Sequence, residues 1–375
     1  MVTIFDIAPE EIQELGGGEM LHVKHNSSEV KRDSFLVKPG KTVPTLERKS
    51  CSFERIYFSR SSDIKIYQER KALGRVIVPK ILKAVDNDIA NTVFSFIPNT
   101  AETSFMGMME GLEQELNVYK NKKIQDLYAN EQDPAVRDKK LEEILSIRPR
   151  MEKSVSKDVK MRTFIADDSS RDDLVSHVYD ITQGIIRKHE DNLVVIDDSI
   201  VRGTTLKRSI LHMLARLHPR KVVVVSSAPQ IRYPDCYGID MSNLGSLIAF
   251  QAAVELLRTH GKEHIIDDVY HDIKELQKQG RLQEENLVKR IYAPFSAEEI
   301  SAKIADLVCP KNYGPDLEII FQSLEDLHSA IPNHPGDWYF SGNYPTPGGT
   351  RVVNLAFLNY YEGKNVRAYD AEAIG

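Results

Sequence analysis

Short apolar runs alternate with segments of helical periodicity over most of the chain. The runs are rich in β-branched residues, and they predict strands at residues 92–97, 193–196, 221–226 and 316–323. Apolar positions three or four residues apart predict helices at residues 67–85, 206–217, 246–258, 266–279, 296–307 and 324–330. Four consecutive valines in the third run indicate a strand buried on both faces. The alternation predicts an α/β fold with a mostly parallel sheet flanked by helices.

Other segments add smaller elements to this plan. Strand-like residues 20–24 and 35–37 flank a turn and predict a small N-terminal β hairpin, followed by a linker at residues 38–49. Residues 56–58 predict another strand and residues 174–187 another helix. Pro79 predicts a break inside the helix at residues 67–85. Residues 105–150 are rich in Glu, Lys, Leu and Met and predict a helical insert, with a break at Asp133-Pro134.

One stretch, from Leu193 to Thr205, carries the candidate chemistry. The strand ends in two adjacent carboxylates, Asp197 and Asp198, and a helix follows a loop of small, mostly hydroxylated residues. That loop is Ser199, Ile200, Val201, Arg202, Gly203, Thr204 and Thr205. Phosphate fits a helix N-terminus, and the carboxylates can accept hydrogen bonds from vicinal sugar hydroxyls, so the layout suits a ribose 5-phosphate. A simply capped helix is the alternative, but capping explains only one Asp and one Thr.

Residues 195–205 resemble the phosphoribosyl pyrophosphate (PRPP) binding motif of type I phosphoribosyltransferases. The ending Ser-Ile-Val-Arg-Gly-Thr-Thr is specific to one branch, the amidophosphoribosyltransferases. Other segments resemble the same family in the same order, at residues 51–60 (CSFERIYFSR), 162–165 (RTFI), 227–234 (SAPQIRYP) and 237–241 (YGIDM). The resemblance covers about residues 10–350, apart from the insert.

The resemblance implies a domain organisation. Residues 51–350 would form a phosphoribosyltransferase domain of the type I fold, residues 1–50 a remnant of a glutaminase-like β segment with a linker, and residues 351–375 a C-terminal tail. In the family the glutaminase nucleophile is an N-terminal cysteine exposed by processing. Here Val2 follows Met1 and the first cysteine is Cys51, so we expect no glutaminase site in this chain.

The resemblance also implies roles for individual residues. Asp197 and Asp198 would hold the ribose hydroxyls and favour the cation that develops at C1, and both would face a bridging Mg²⁺. Residues 199–205 would bind the 5-phosphate, and Asn99 and Thr100 the pyrophosphate. Arg162 and Thr163 lie in a segment that is a closing lid in the family. Arg232, Asp240 and Met241 match positions near the pocket mouth, where purine nucleotide inhibitors bind in the family.

Composition narrows the range of partners. The net charge of −6 and pI near 6.0 argue against a general nucleic-acid or membrane-surface binder. There is no apolar run of about 18 residues, so we expect no membrane span. Three widely spaced cysteines fit a reducing compartment, predict no disulfide framework and exclude a four-cysteine iron–sulfur cluster within one chain. We therefore expect a cytoplasmic protein.

The leading hypothesis is transfer of the phosphoribosyl group of PRPP to ammonia, the first step of de novo purine synthesis, with nitrogen from free ammonia or a separate glutaminase polypeptide. The alternative is a non-catalytic module of the same fold that senses PRPP or purine nucleotides, and a weaker one is transfer to another acceptor. The acidic pair and the Arg-Thr-Phe-Ile segment favour the enzyme, whereas a lengthened loop after the strand at residues 92–97 and the insert favour the sensor. The family forms dimers and tetramers, so a homo-oligomer is also expected.

Overall fold

The computed structural model describes residues 7–8, 11–13, 15–16, 18–26, 29–34, 37–38, 41–42, 49–157, 179–236 and 241–368. The chain divides into two units, Met1–Ser50 and Cys51–Gly375. In the first unit, β1 (Glu19–Val23) and β2 (Val30–Ser34) form an antiparallel hairpin, and β3 (Val37–Lys38) pairs with β4 (Lys41–Thr42). The predicted N-terminal hairpin is confirmed, but its second strand begins at Val30 rather than residue 35.

The second unit is built on a parallel sheet of five strands. They are β5 (Thr92–Phe96), β6 (Arg150–Met151), β9 (Asn192–Asp197), β10 (Lys221–Ser226) and β11 (Asp316–Phe321). Their order across the sheet is β11-β10-β9-β5-β6, and all four pairings are parallel. A separate antiparallel pair joins β7 (Val155–Lys157) and β8 (Tyr179–Ile181). The predicted α/β fold with a mostly parallel sheet is confirmed.

Helices cover both faces of this sheet. In chain order they are α1 (Glu54–Phe58), α2 (Ile64–Val76), α3 (Val78–Ala84), α4 (Glu102–Asn130), α5 (Pro134–Ser146), α6 (Leu206–Ile210), α7 (Leu211–Ala215), α8 (Ile248–Thr259), α9 (His264–Lys278), α10 (Lys289–Tyr292), α11 (Ala297–Val308), α12 (Leu324–Ala330), α13 (Trp338–Ser341) and α14 (Pro347–Tyr361). None of the helices in the described ranges has the length and apolar character needed to cross a membrane.

Alternate residues of each strand enter two different apolar clusters. Leu193, Val195 and the corresponding residues of β10 pack with α8, α11 and α14. Val194, Ile196 and their neighbours pack with α3 and α4. Because all strand residues from 193 to 196 are fully buried, the continuous apolar runs reflect a sheet covered on both faces.

Helices α2 and α4 cross at unusually short distance. A Cβ atom on Gly74 would lie 1.8 Å from the carbonyl oxygen of Ser104, and one on Gly107 would lie 1.9 Å from the carbonyl oxygen of Lys71. Only glycine therefore permits this crossing. Since α4 begins two residues after Thr100, the crossing also fixes the loop that follows β5.

Two predictions about secondary structure are wrong, and the predicted start of the C-terminal tail falls inside a helix. Residues 56–58 lie in α1, where the Ser59 amide donates to the Glu54 carbonyl; Ile56 is buried while Tyr57 is about half exposed. The predicted helix at residues 174–187 is interrupted by β8 and by Gly184 with φ of +81°, and its first residues lie outside the described ranges. The predicted tail from residue 351 contains most of α14, which is buried at Val353 and Phe357.

Candidate active site at the carboxyl ends of two adjacent strands

The order of the strands changes direction between β5 and β9. From β5 the chain continues to β6 at one edge of the sheet, whereas β9 and β10 lie on the other side. Phe96 of β5 is paired with Ile196 of β9, so the loops after both strands emerge together. In open α/β sheets, a crevice at the carboxyl ends of such strands is the usual place for a ligand.

Asp197 and Asp198, here called the acidic pair, stand at the end of β9. Both residues are half-buried. The Asp197 carboxylate accepts a hydrogen bond from the backbone amide of Asp198 at 2.9 Å. The Ser199 hydroxyl donates to the Asp198 carboxylate at 3.1 Å, and the Ser227 hydroxyl donates to the Asp198 carbonyl at 3.2 Å. These local contacts hold both carboxyl groups at the mouth of the crevice.

Burial and mutual repulsion act on the acidic pair. Burial, and next the charge of Asp198, raise the pKa of Asp197 well above its usual range. Burial also raises the pKa of Asp198, although hydrogen bonds from Ser199 and Thr100 and the charge of Arg70 oppose that rise. A cation, or hydroxyl donors from a ligand, would therefore stabilise the ionised form of the acidic pair.

The loop after β5 joins the acidic pair directly. The side chain of Thr100 acts on Asp198 by lowering the pKa of its carboxyl group. Asn99 is exposed beside it, and the Pro98-Asn99 peptide bond is cis. The backbone amide of Ile97 donates to the Ile196 carbonyl at 2.9 Å, which keeps the two strand ends in register. The structure thus places Thr100, which the family resemblance assigns to pyrophosphate binding, in the loop next to the acidic pair.

The loop after the acidic pair is held by its backbone. Ile200 is buried, and the Val201 carbonyl accepts the amide of Ile248 at 2.9 Å, at the start of α8. Gly203 has φ of +68°, and a Cβ there would approach a side-chain carbon of Val308 to 2.9 Å. Arg202, Thr204 and Thr205 are exposed, where they can meet a ligand before α6 begins. One side of the loop therefore packs against the protein, and the other side is exposed to solvent.

Arg70, a residue of α2 that was not among the predicted site residues, also acts on this site. Arg70 is only 3% exposed, and its guanidinium donates to the carbonyls of Arg55 at 3.0 Å and Ser59 at 2.6 Å. Its charge lowers the pKa of Asp198. A signal was present, because Arg70 occupies a position of the buried helix face between Ile66 and Leu73.

The remaining predicted residues stand apart from the acidic pair or outside the described ranges. Arg162, Thr163 and Asp240 belong to segments that the structure does not describe. The Arg232 guanidinium donates to Gln230 Oε1 at 2.8 Å and lies over the Tyr292 ring, and Met241 is buried. Arg232 therefore contacts protein groups in this structure.

The fit of a divalent cation depends on the ligands available. In the part of the chain that the structure describes, no cluster of three or more His, Cys, Asp or Glu residues could hold a metal ion. The acidic pair offers carboxylate oxygens from two residues only. Mg²⁺ commonly binds to one or two carboxylates and takes its other oxygens from water and substrate phosphate, so the pair fits a cation that arrives with its substrate.

Comparison with curated proteins finds relatives of one kind. The amidophosphoribosyltransferase of Bacillus subtilis (strain 168) is 28% identical over 254 residues, which cover 66% of this chain and 42% of that protein. That of Haemophilus influenzae is 24% identical over 306 residues, covering 79% of this chain and 50% of that protein. The chain is related to the amidophosphoribosyltransferases. The resemblance inferred from its motifs is therefore confirmed.

This chain spans about half the length of the amidophosphoribosyltransferases that it matches. No family model matches it. A solved structure of glutamine PRPP amidotransferase from B. subtilis, complexed with ADP and GMP, aligns with 88% of this chain and 52% of that chain, at 23% identity and a TM-score of 0.48.

Proposed function

We propose that this chain carries the phosphoribosyl-transfer site of an amidophosphoribosyltransferase. The reaction is transfer of the 5-phosphoribosyl group from PRPP to ammonia, which yields 5-phosphoribosylamine and pyrophosphate and begins de novo purine synthesis. The observation that carries the proposal is the acidic pair at the end of β9, which lies next to the loop that follows the adjacent strand β5. The relationship to amidophosphoribosyltransferases supports the choice of reaction.

The acidic pair has two roles in this proposal. Its carboxylates accept hydrogen bonds from the ribose hydroxyls, and their charge stabilises the cationic character that develops at C1 as pyrophosphate departs. The raised pKa values of Asp197 and Asp198 mean that the site without ligand resists full ionisation. Substrate hydroxyls and Mg²⁺ then favour the ionised form, so binding and ionisation reinforce each other.

The two loops supply the phosphate contacts in this proposal. Residues 199–205 bind the 5-phosphate through the exposed hydroxyls of Thr204 and Thr205 and the side chain of Arg202. Asn99 and Thr100 bind pyrophosphate. Asp197 and Asp198 would hold Mg²⁺, which would supply positive charge to the departing pyrophosphate. Arg162 and Thr163 stay predictions for a lid that excludes water from the reacting carbon.

Partners follow from the same proposal. Ammonia is the nitrogen donor for this chain, either free or released by a separate glutaminase polypeptide. Inhibition by purine nucleotides and assembly into a homo-oligomer stay predictions of the family resemblance. A cytoplasmic setting stays a prediction from the few, widely spaced cysteines of the sequence.

The proposal is tested by removing the charges of the acidic pair. The double substitution Asp197→Asn and Asp198→Asn should reduce pyrophosphate release from Mg²⁺-PRPP and ammonium chloride by at least about a hundredfold, since interactions with developing charge commonly contribute that much. The matched control is Asp267→Asn with Asp268→Asn, an exposed adjacent pair on α9. If both double variants retain full activity, the acidic pair has no part in the chemistry.

Binding distinguishes the sensor from the enzyme. We expect calorimetry with Mg²⁺-PRPP to show binding to the unsubstituted chain together with turnover. Tight binding without pyrophosphate release would replace the enzyme with a sensing module of the same fold. The short connection between β5 and α4, residues 97–101, gives no structural support for the sensor.

A further inference from the structure

A groove of about 1030 Å³ runs along the outer side of β11, and Asp197 and Asp198 are not part of its lining. Strand β11 ends the sheet: among the described strands, only β10 pairs with it. Helix α3 forms one wall and α11 the other, and these helices pack against opposite faces of the sheet. The groove therefore lies where one more strand of the sheet would lie.

The backbone at the floor of the groove is arranged to pair with such a strand. The amide of Asp316 donates to the Arg220 carbonyl and that of Gln322 to the Ser226 carbonyl, both at 3.2 Å. In a parallel ladder, alternate residues turn their N–H and C=O groups to the same neighbour. The backbone N–H and C=O groups of Leu317, Ile319 and Phe321 therefore point into the groove. Extended peptides pair with such free backbone groups when they add a strand to a sheet.

A buried acceptor at one end of the groove also lacks a donor. Gln322 is only 4% exposed and lines the groove. Its Nε2 donates to the Leu73 carbonyl at 3.0 Å, whereas its Oε1 has no hydrogen-bond partner among the described residues. A buried acceptor without a donor is costly, so the end of β11 beside the groove carries an unsatisfied polar atom.

The two walls differ in chemistry. On the α3 side, Lys80 pairs with Asp326 at 3.1 Å and Lys221 with Glu318 at 2.7 Å. Lys83 is exposed, with no carboxylate of the described residues within ion-pair distance, although Asp86 lines the same end of the groove. The α11 side combines small residues, namely Ala297, Ser301, Ala302 and Ala305, with the acidic residues Glu298 and Asp306. One wall thus accepts a carboxylate, and the other leaves room for large apolar side chains.

We propose that this groove binds an extended segment of a partner protein as a sixth strand beside β11. Side chains of a strand alternate between its two faces. The segment therefore carries an acidic residue facing Lys83 and large apolar residues facing the small residues of α11. A second copy of this chain fits less well, because antiparallel pairing of two β11 edges would bring the α3 walls, and both copies of Lys83, to the same face of the joined sheet.

The probe for this proposal is a short acetylated, fluorescently labelled peptide of alternating leucine and glutamate, added to the full chain. We expect saturable binding by anisotropy. Ala302→Trp fills the groove from an exposed position and should weaken binding at least tenfold, whereas the control Ala129→Trp on α4 should not. Lys83→Glu should weaken binding of this peptide and strengthen binding of its lysine analogue, and the control Lys122→Glu should do neither.

Amide hydrogen exchange identifies the mode of binding. The peptide should slow exchange at Leu317, Ile319 and Phe321 and leave Glu318 and Ile320, already bonded to β10, unchanged. A peptide with N-methylated backbone on one edge should bind at least tenfold more weakly. The proposal is overturned if both peptides bind equally, if Ala302→Trp has no effect, or if the same amides become protected without peptide as protein concentration rises.

Discussion

Asp197→Asn should stabilise the fold while it impairs the proposed reaction. The acidic pair is half-buried, and burial together with the neighbouring charge raises the pKa of Asp197. Two like unit charges about 4 Å apart repel by about 4 kcal/mol at an effective dielectric constant of about 20, and the repulsion falls as their separation grows. The asparagine oxygen still accepts the Asp198 amide, but a neutral acceptor gives up about 1 kcal/mol relative to a carboxylate. We therefore expect a net gain of about 1–2 kcal/mol.

The sign of the pH dependence follows from the raised pKa. A carboxyl group with a raised pKa favours the folded state when protonated, and this contribution is lost as pH rises through the folded-state pKa. Asp197→Asn should thus be more stable than the unsubstituted chain at about pH 8, and the difference should shrink as pH falls towards about 5. Magnesium chloride should also reduce it, because the cation offsets the repulsion.

Urea unfolding with EDTA, at several pH values, measures this difference. Asp268→Asn is the control, because Asp268 is exposed on α9. If Asp197→Asn lowers the free energy of unfolding near pH 8, or if its effect is the same at every pH, the charge repulsion described here does not exist. The hydrogen bond from the Asp198 amide would then be the main role of Asp197.

Three further substitutions test how the fold supports the site. Arg70→Met should raise the pKa of Asp198 and so shift the acid limb of the pH–activity profile to higher pH. It should also lower the free energy of unfolding in urea by about 2–4 kcal/mol, because two hydrogen bonds from a charged donor are lost. An acid limb that does not move would limit Arg70 to a structural role. Gly203→Ala should cost about 1–3 kcal/mol and raise KM for PRPP, since φ is +68° and a valine side chain lies close; an unchanged KM would separate this loop from the phosphate. Gly107→Ala should destabilise by about 3 kcal/mol or more through backbone collision with α2, whereas Gly314→Ala, which meets open space, should be neutral or slightly stabilising.

The sheet could be predicted because its signal is local. Buried parallel strands require continuous apolar runs, and the runs at residues 92–97, 193–196 and 221–226 match β5, β9 and β10 closely. Helix boundaries could be predicted where a particular residue type strongly favours the start or the end of a helix. The break at Ile77 lies two residues before Pro79, and Ser296 with Glu299 forms a reciprocal cap at the start of α11.

The errors arise where tertiary contacts outweigh local pattern. The apolar run at residues 56–58 predicts a strand. In the structure, the rings of Tyr57 and Phe340 pack around Phe53 and favour a helical turn that buries Ile56. For the site, the acidic pair, its loop and Thr100 could be named as candidates from the sequence. The contribution of Arg70 could not, because it depends on where α2 packs relative to β9.

The central claim is tested most directly by pyrophosphate release from PRPP and Mg²⁺, with ammonium chloride or glutamine as the nitrogen donor. We predict release that depends on ammonia, does not respond to glutamine and is lost in the double asparagine variant of the acidic pair. Absence of PRPP binding and of release with either donor would contradict the account.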